Sequence, residues 1–109
     1  MSSYLLSFRG ARDSVLRPET FDAWAKWQLQ LGPRLKDRGY PALTAETIGA
    51  PTHETILGGY SVIRATNMAA AVDLARGCPH LRDGGAVEIA ELVNNDDPFD
   101  QWLADQYRL

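Results

Sequence analysis

The chain has 109 residues, the size of one domain, and a chain of this length buries roughly 65% of its unfolded surface. Its 45% hydrophobic and 23% charged residues exclude a disordered chain, and a net charge of −3 with 11 scattered Lys and Arg leaves no basic stripe for nucleic acid. A single cysteine permits no internal disulfide and points to a reducing cytoplasm, while the opening MSSYLLSFRG has neither the cleavage pattern of a signal peptide nor the length of a membrane span.

Tyr4 to Arg9 reads as a first strand, with Tyr4, Leu6 and Phe8 on one face and Leu5, Ser7 and Arg9 on the other. Pro18 suits the first turn of a helix, where its missing N–H costs nothing. Phe21, Trp24, Trp27, Leu31 and Leu35 follow at spacings of three and four, one face of an amphipathic helix. Gly32-Pro33 predicts a kink or restart, and Gly39 a left-handed cap ending the helix. Tyr40 to Ile48 is a weaker strand candidate, with Pro41 at its edge or start. Ile56 to Ala65 is a stronger strand, and Gly58-Gly59 marks a bulge or a place where another segment approaches closely.

Thr66 or Asn67 can cap a second helix whose buried face is Met68, Ala71, Val72 and Ala75. The small residues would let it sit close to a sheet; Gly77 ends it and Pro79 prevents its continuation. Ala86 to Val93 is a last strand, Val87 and Ile89 on one face and Glu88 and Ala90 on the other. Asp97-Pro98 starts a C-terminal helix with Phe99, Trp102, Leu103 and Tyr107 on one face.

The order predicts one α+β domain over 1–109, a ferredoxin-like βαββαβ arrangement with an added C-terminal helix. Two helices cover one face of a four-stranded sheet. The other face, carrying Leu5, Ser7, Arg9, Glu88 and Ala90, requires water or a partner, and a symmetric homodimer is the simplest cover.

The stretch ILGGYSVIRATNMAAAVDLARGCPHLRDGGAVEIAEL resembles the YCII-related family of dimeric α/β-barrel proteins, through Gly58-Gly59-Tyr60, Asn67, Cys78-Pro79, Gly84-Gly85 and Val87-Glu88-Ile89. The opening YLLSFRG and the Trp24/Trp27 helix are similar to the branch named for an Asp-Gly-Pro-Phe motif. This chain has Gly49-Ala50-Pro51-Thr52 in place of that motif. It has Glu19, Thr20 and Phe21 where enzymatic relatives place a histidine after the proline of the first helix. The resemblance implies a homodimer with a small-molecule pocket between sheet and first helix.

Cys78 and His80, two residues apart, suggest a thiol–imidazole pair. A nucleophilic cysteine requires a cation, a helix N-terminus or a base to favour its thiolate, and Cys78 follows a helix end instead. The pair therefore reads as punctuation between helix and strand, with Cys78 a small buried hydrophobe. His53, in the loop before the third strand, is the candidate general acid or base, with Asp37 to orient it; the competing reading is an exposed loop histidine. Arg9, Arg64 and Glu88 read as an interstrand ion pair on the dimer face, or as carboxylate recognition in a ligand pocket. Of Trp24 and Trp27, one belongs to the core and the other can line a pocket beside Tyr60. Two histidines and one cysteine show no paired ligand spacing, so neither a metal nor another cofactor is expected.

Two functions follow. One is a cofactor-free lyase- or isomerase-type enzyme using His53 with Asp37 on a small aromatic or acidic molecule. The other is a non-catalytic ligand-binding or regulatory module of the same fold.

Overall fold

The computed structural model describes residues 1–10, 18–50 and 55–93, together with 102, 105 and 106. Strand β1 (Ser2–Gly10) leads to helix α1 (Pro18–Leu31), a 3-10 turn at Gly32–Arg34 and a short β2 (Leu35–Asp37). Strand β3 (Ile56–Ala65), helix α2 (Met68–Ala75), a second 3-10 turn at Pro79–Leu81 and β4 (Ala86–Glu91) follow. The sheet is antiparallel in the order β2-β3-β1-β4. That α+β order with two helices is compatible with a ferredoxin-like fold. Trp102, Asp105 and Gln106 are helical, and the other residues of the expected C-terminal helix lie outside the described set.

Alternation decides the two faces of the sheet. Tyr4, Leu6 and Phe8 of β1 are buried with Ile63 and Ala65 of β3, and Val87 and Ile89 pack against them. Trp27 and Leu31 of α1 and Ala71 and Ala75 of α2 close this core from above. The register places Leu5 opposite both Val62 and Ala90, so an apolar row crosses the centre of the uncovered face.

Helix α1 ends earlier than the periodicity predicts. Pro33 has no N–H for the carbonyl four residues back, and the chain leaves the helix at Leu31. Leu35 is therefore in a strand opposite Ile63, still packed on the core but not on the helical face, while Phe21 is exposed. Gly39 has a left-handed φ of 68°, yet it follows β2 rather than capping a helix.

The strand expected at Tyr40 to Ile48 is not formed. Pro41 makes an isolated bridge to Gly59, and the arm stays attached through Ala42 N–H to the Gly58 carbonyl (3.0 Å) and Tyr60 N–H to the Tyr40 carbonyl (3.3 Å). A proline cannot donate to a ladder, which limits the pairing to this crossing. A Cβ at Gly59 would stand 3.0 Å from the Tyr40 carbonyl oxygen, so the arm is what approaches the glycine pair.

Helix α2 begins at its cap: Asn67 Oδ1 accepts the Ala70 N–H at 2.8 Å. Its packed stripe is Ala70, Ala71, Leu74 and Ala75. Met68 lies about a quarter-turn off the centre of that stripe and is exposed, contrary to the expected buried face. No helix among the described residues is long and apolar enough to cross a membrane.

Candidate functional site

A cleft of about 850 Å³ opens where the end of β1, the start of β3, the first half of α1, the 38–43 arm and the 83–85 turn converge. Its aromatic lining comes from Phe8, Phe21, Trp24, Tyr40 and Tyr60, and among the described residues the imidazole that lines it is His80. Phe8 and Trp24 meet edge to face with ring centres 4.7 Å apart, and Trp24 stands in the same relation to Trp27 at 5.6 Å. Edge-to-face stacking fixes these rings in place, so the wall exists before any ligand arrives.

His80 is held by the local sequence on each side. Cys78 is 1% exposed and Pro79 is buried, so the start of the second 3-10 turn is anchored in the core. The Gly85 N–H returns to the His80 carbonyl at 3.0 Å, wrapping the turn back on itself. A Cβ on residue 85 would overlap the imidazole, and only glycine leaves that space. The ring then reaches β1, where Nε2–H donates to the Arg9 carbonyl at 2.6 Å. The β1–β3 register shifts between Phe8 and Arg9, a bulge that locally disrupts the ladder. Phe8 and Trp24 flank the imidazole at ring-centre distances of 6.1 and 6.4 Å.

Cys78 is not a nucleophile in this arrangement. Burial pushes its thiol up to about 11, and the hydrogen bonds from the His80 and Leu81 main chain only partly oppose that. A protonated thiol at neutral pH is a packing group.

The structure separates the residues selected from sequence. Trp24 and Tyr60 line the cleft. Trp27 is in the core, its indole N–H donating to the Leu74 carbonyl at 3.1 Å. Asp37 ends β2 rather than α1, is exposed, and its Oδ1 accepts the Gly39 N–H at 2.9 Å. The cleft wall begins at the next residue, Arg38. His53 lies outside the described residues.

Arg9, Arg64 and Glu88 are on the uncovered face and form no ion pair with one another. Arg9 donates instead to the Thr55 hydroxyl (3.3 Å) and carbonyl (3.1 Å). Arg64 stands opposite Ser3 and Glu88 opposite Ser7, so four residues of β1, about 13 Å, separate them along the strand. That register keeps Arg64 and Glu88 from pairing within the chain, while Arg9, opposite Ala86, is committed to Thr55. Among the described residues no group of three His, Cys, Asp or Glu is placed to hold a metal ion.

His80 is the residue that sequence reasoning set aside. Its signal was present, a histidine directly after a buried Cys-Pro anchor and five residues before a glycine. Nothing in the sequence, however, pointed to the Arg9 carbonyl as its partner. Comparison of the chain with family models, curated proteins and solved structures finds no match in any of the three.

Proposed function

We propose that this protein is a YCII-like homodimer, a dimeric α/β barrel that binds a small flat molecule in the cleft beside α1. The observation that carries the reading is the cleft itself. A concavity with a preformed aromatic wall, and with polar groups such as Gln28, Arg38 and Asp83 also in its lining, has the form of a small-molecule site. Dimerisation is supported by the apolar row Leu5, Val62 and Ala90 on the uncovered face and by Leu43 and Ile48, which are 95% and 97% exposed on the arm. The free, buried thiol suits a reducing cytoplasm.

The chemistry we assign is cofactor-free proton transfer of the lyase or isomerase type, with a histidine as general acid and base. The position of Asp37, committed to its own turn and absent from the cleft wall, favours the second reading, a non-catalytic ligand-binding or regulatory module.

The test is a tryptophan-fluorescence titration with a panel of small aromatic acids, run beside sedimentation equilibrium. Saturable quenching that disappears in Trp24→Ala, at twice the chain mass, supports the proposal. A single-chain mass at micromolar concentration, or quenching unchanged by Trp24→Ala, rejects it. Val62→Glu, in the centre of the uncovered face, is expected to convert a dimer to monomer.

A further inference from the structure

We infer that His80, through Nδ1, is the general base of this cleft, and that its substrate class is flat, conjugated carbon acids. The inference rests on the small-molecule reading above and adds the reacting atom. A carbonyl oxygen can only accept, so the hydrogen bond to Arg9 fixes the neutral imidazole with its proton on Nε2. Nδ1 then carries the lone pair, and among the described residues nothing hydrogen-bonds to it. The ring is part of the cleft wall, beside Trp24 and Phe8, whose faces and edges suit a planar conjugated molecule.

The geometry resembles that required of a positioned base in general. The base is oriented by a hydrogen bond at its far nitrogen, and its ring is clamped between Phe8, Trp24 and Gly85. Here the orienting group is a main-chain carbonyl instead of a carboxylate. Gly85 and the buried Cys78-Pro79 anchor position the ring without touching substrate. In the step, a substrate C–H bond breaks and its proton passes to Nδ1. The electron pair moves into the conjugated system, either to expel a leaving group or to accept the proton back at another carbon. No oxidant, reductant or co-reactant enters the balance.

The experiment uses 5-nitrobenzisoxazole, a flat aromatic carbon acid. Its proton is taken by base as the ring N–O bond breaks and a nitrile forms, releasing a coloured cyanonitrophenolate. The full-length protein is expected to bind it, by tryptophan quenching, and to accelerate its opening. His80→Ala is expected to retain the quenching and lose about a hundredfold in rate, with partial rescue by added imidazole. Gly85→Ala, which keeps the histidine but displaces its ring, is expected to lose rate as well.

A long-range proton–nitrogen spectrum of the unaltered protein provides a readout independent of any variant's folding. It is expected to show His80 with Nε2 protonated and Nδ1 bare. Binding without acceleration, an unchanged rate in His80→Ala, a rate lost in His53→Ala but kept in His80→Ala, or a proton on Nδ1 overturns the inference while the binding reading stands. Absence of quenching overturns both.

Discussion

The imidazole of His80 and the main-chain carbonyl of Arg9 are joined by a 2.6 Å hydrogen bond across 71 residues of sequence, and the space that allows it is the missing side chain of Gly85. A methyl group at position 85 and the bound imidazole cannot coexist. Gly85→Ala should therefore lose about 1–3 kcal/mol, the cost of breaking a partly buried hydrogen bond and leaving its acceptor unpaired. Urea denaturation measures this. A loss of similar size in His80→Phe, with no further loss in the double variant, would show that both changes act on the same bond.

Cys78 makes stability depend on alkaline pH. Its folded pKa is raised from the ordinary 9.0 to about 11 by burial. Between those values the unfolded chain has lost the thiol proton and the folded chain has kept it, so unfolding releases a proton and stability falls as pH rises. The contribution is intact below about pH 9 and is spent by about pH 11, a total of about 2–3 kcal/mol. Urea midpoints at steps across this window should fall more steeply for the native chain than for Cys78→Ala. Parallel curves would contradict the assignment.

Trp24 and Trp27 should separate stability from binding. Trp27 is 3% exposed and its indole N–H satisfies a carbonyl in the last turn of α2. Trp27→Phe removes that bond at a cost of about 1–2 kcal/mol, and Trp27→Ala adds a cavity for a total of about 3–5 kcal/mol. Trp24, half-buried against Phe8, should cost about 1 kcal/mol on change to Leu, the worth of one aromatic pair. Thermal melts order the variants by stability, and ligand quenching should instead be most sensitive to position 24.

Asn67 is a clean cap. Its side-chain oxygen holds the Ala70 N–H, the residue is exposed, and among the described residues its side chain makes no other hydrogen bond. Asn67→Ala should destabilise by about 1 kcal/mol, while Asn67→Asp and Asn67→Ser, which also accept, should stay within a few tenths. Chemical denaturation of the three variants checks the order.

Local rules were enough for much of this molecule. Strict alternation from Tyr4 to Arg9 assigned the buried and open faces of β1, because a strand has only two faces. Thr66 or Asn67 on one side and Gly77 and Pro79 on the other bracketed α2, which runs from an Asn67 cap to Ala75, because capping and stopping are one-turn effects. Where two local signals competed, the sequence could not rank them. Leu35 continues the helical spacing, but the helix ends at Leu31 ahead of Pro33, and pairing to Ile63 places Leu35 in a strand. Pro41 likewise reduced a predicted strand to a single bridge.

The candidate site belongs to the second category. Trp24 and Tyr60 were identifiable as large amphipathic side chains, but which tryptophan faced the cleft depended on where α1 sits over the sheet. Asp37 was expected to orient His53; the fold shows its Oδ1 accepting the Gly39 N–H, and His53 lies outside the described residues. His80 looked like punctuation until the fold brought Arg9, from the far end of the chain, to its ring. The sequence by itself determined periodicity, caps, stops and the identity of the buried thiol, all of which act over a few residues. Only the tertiary structure decided which nitrogen of His80 carries its proton, because that proton is assigned by a carbonyl the local chain does not contain.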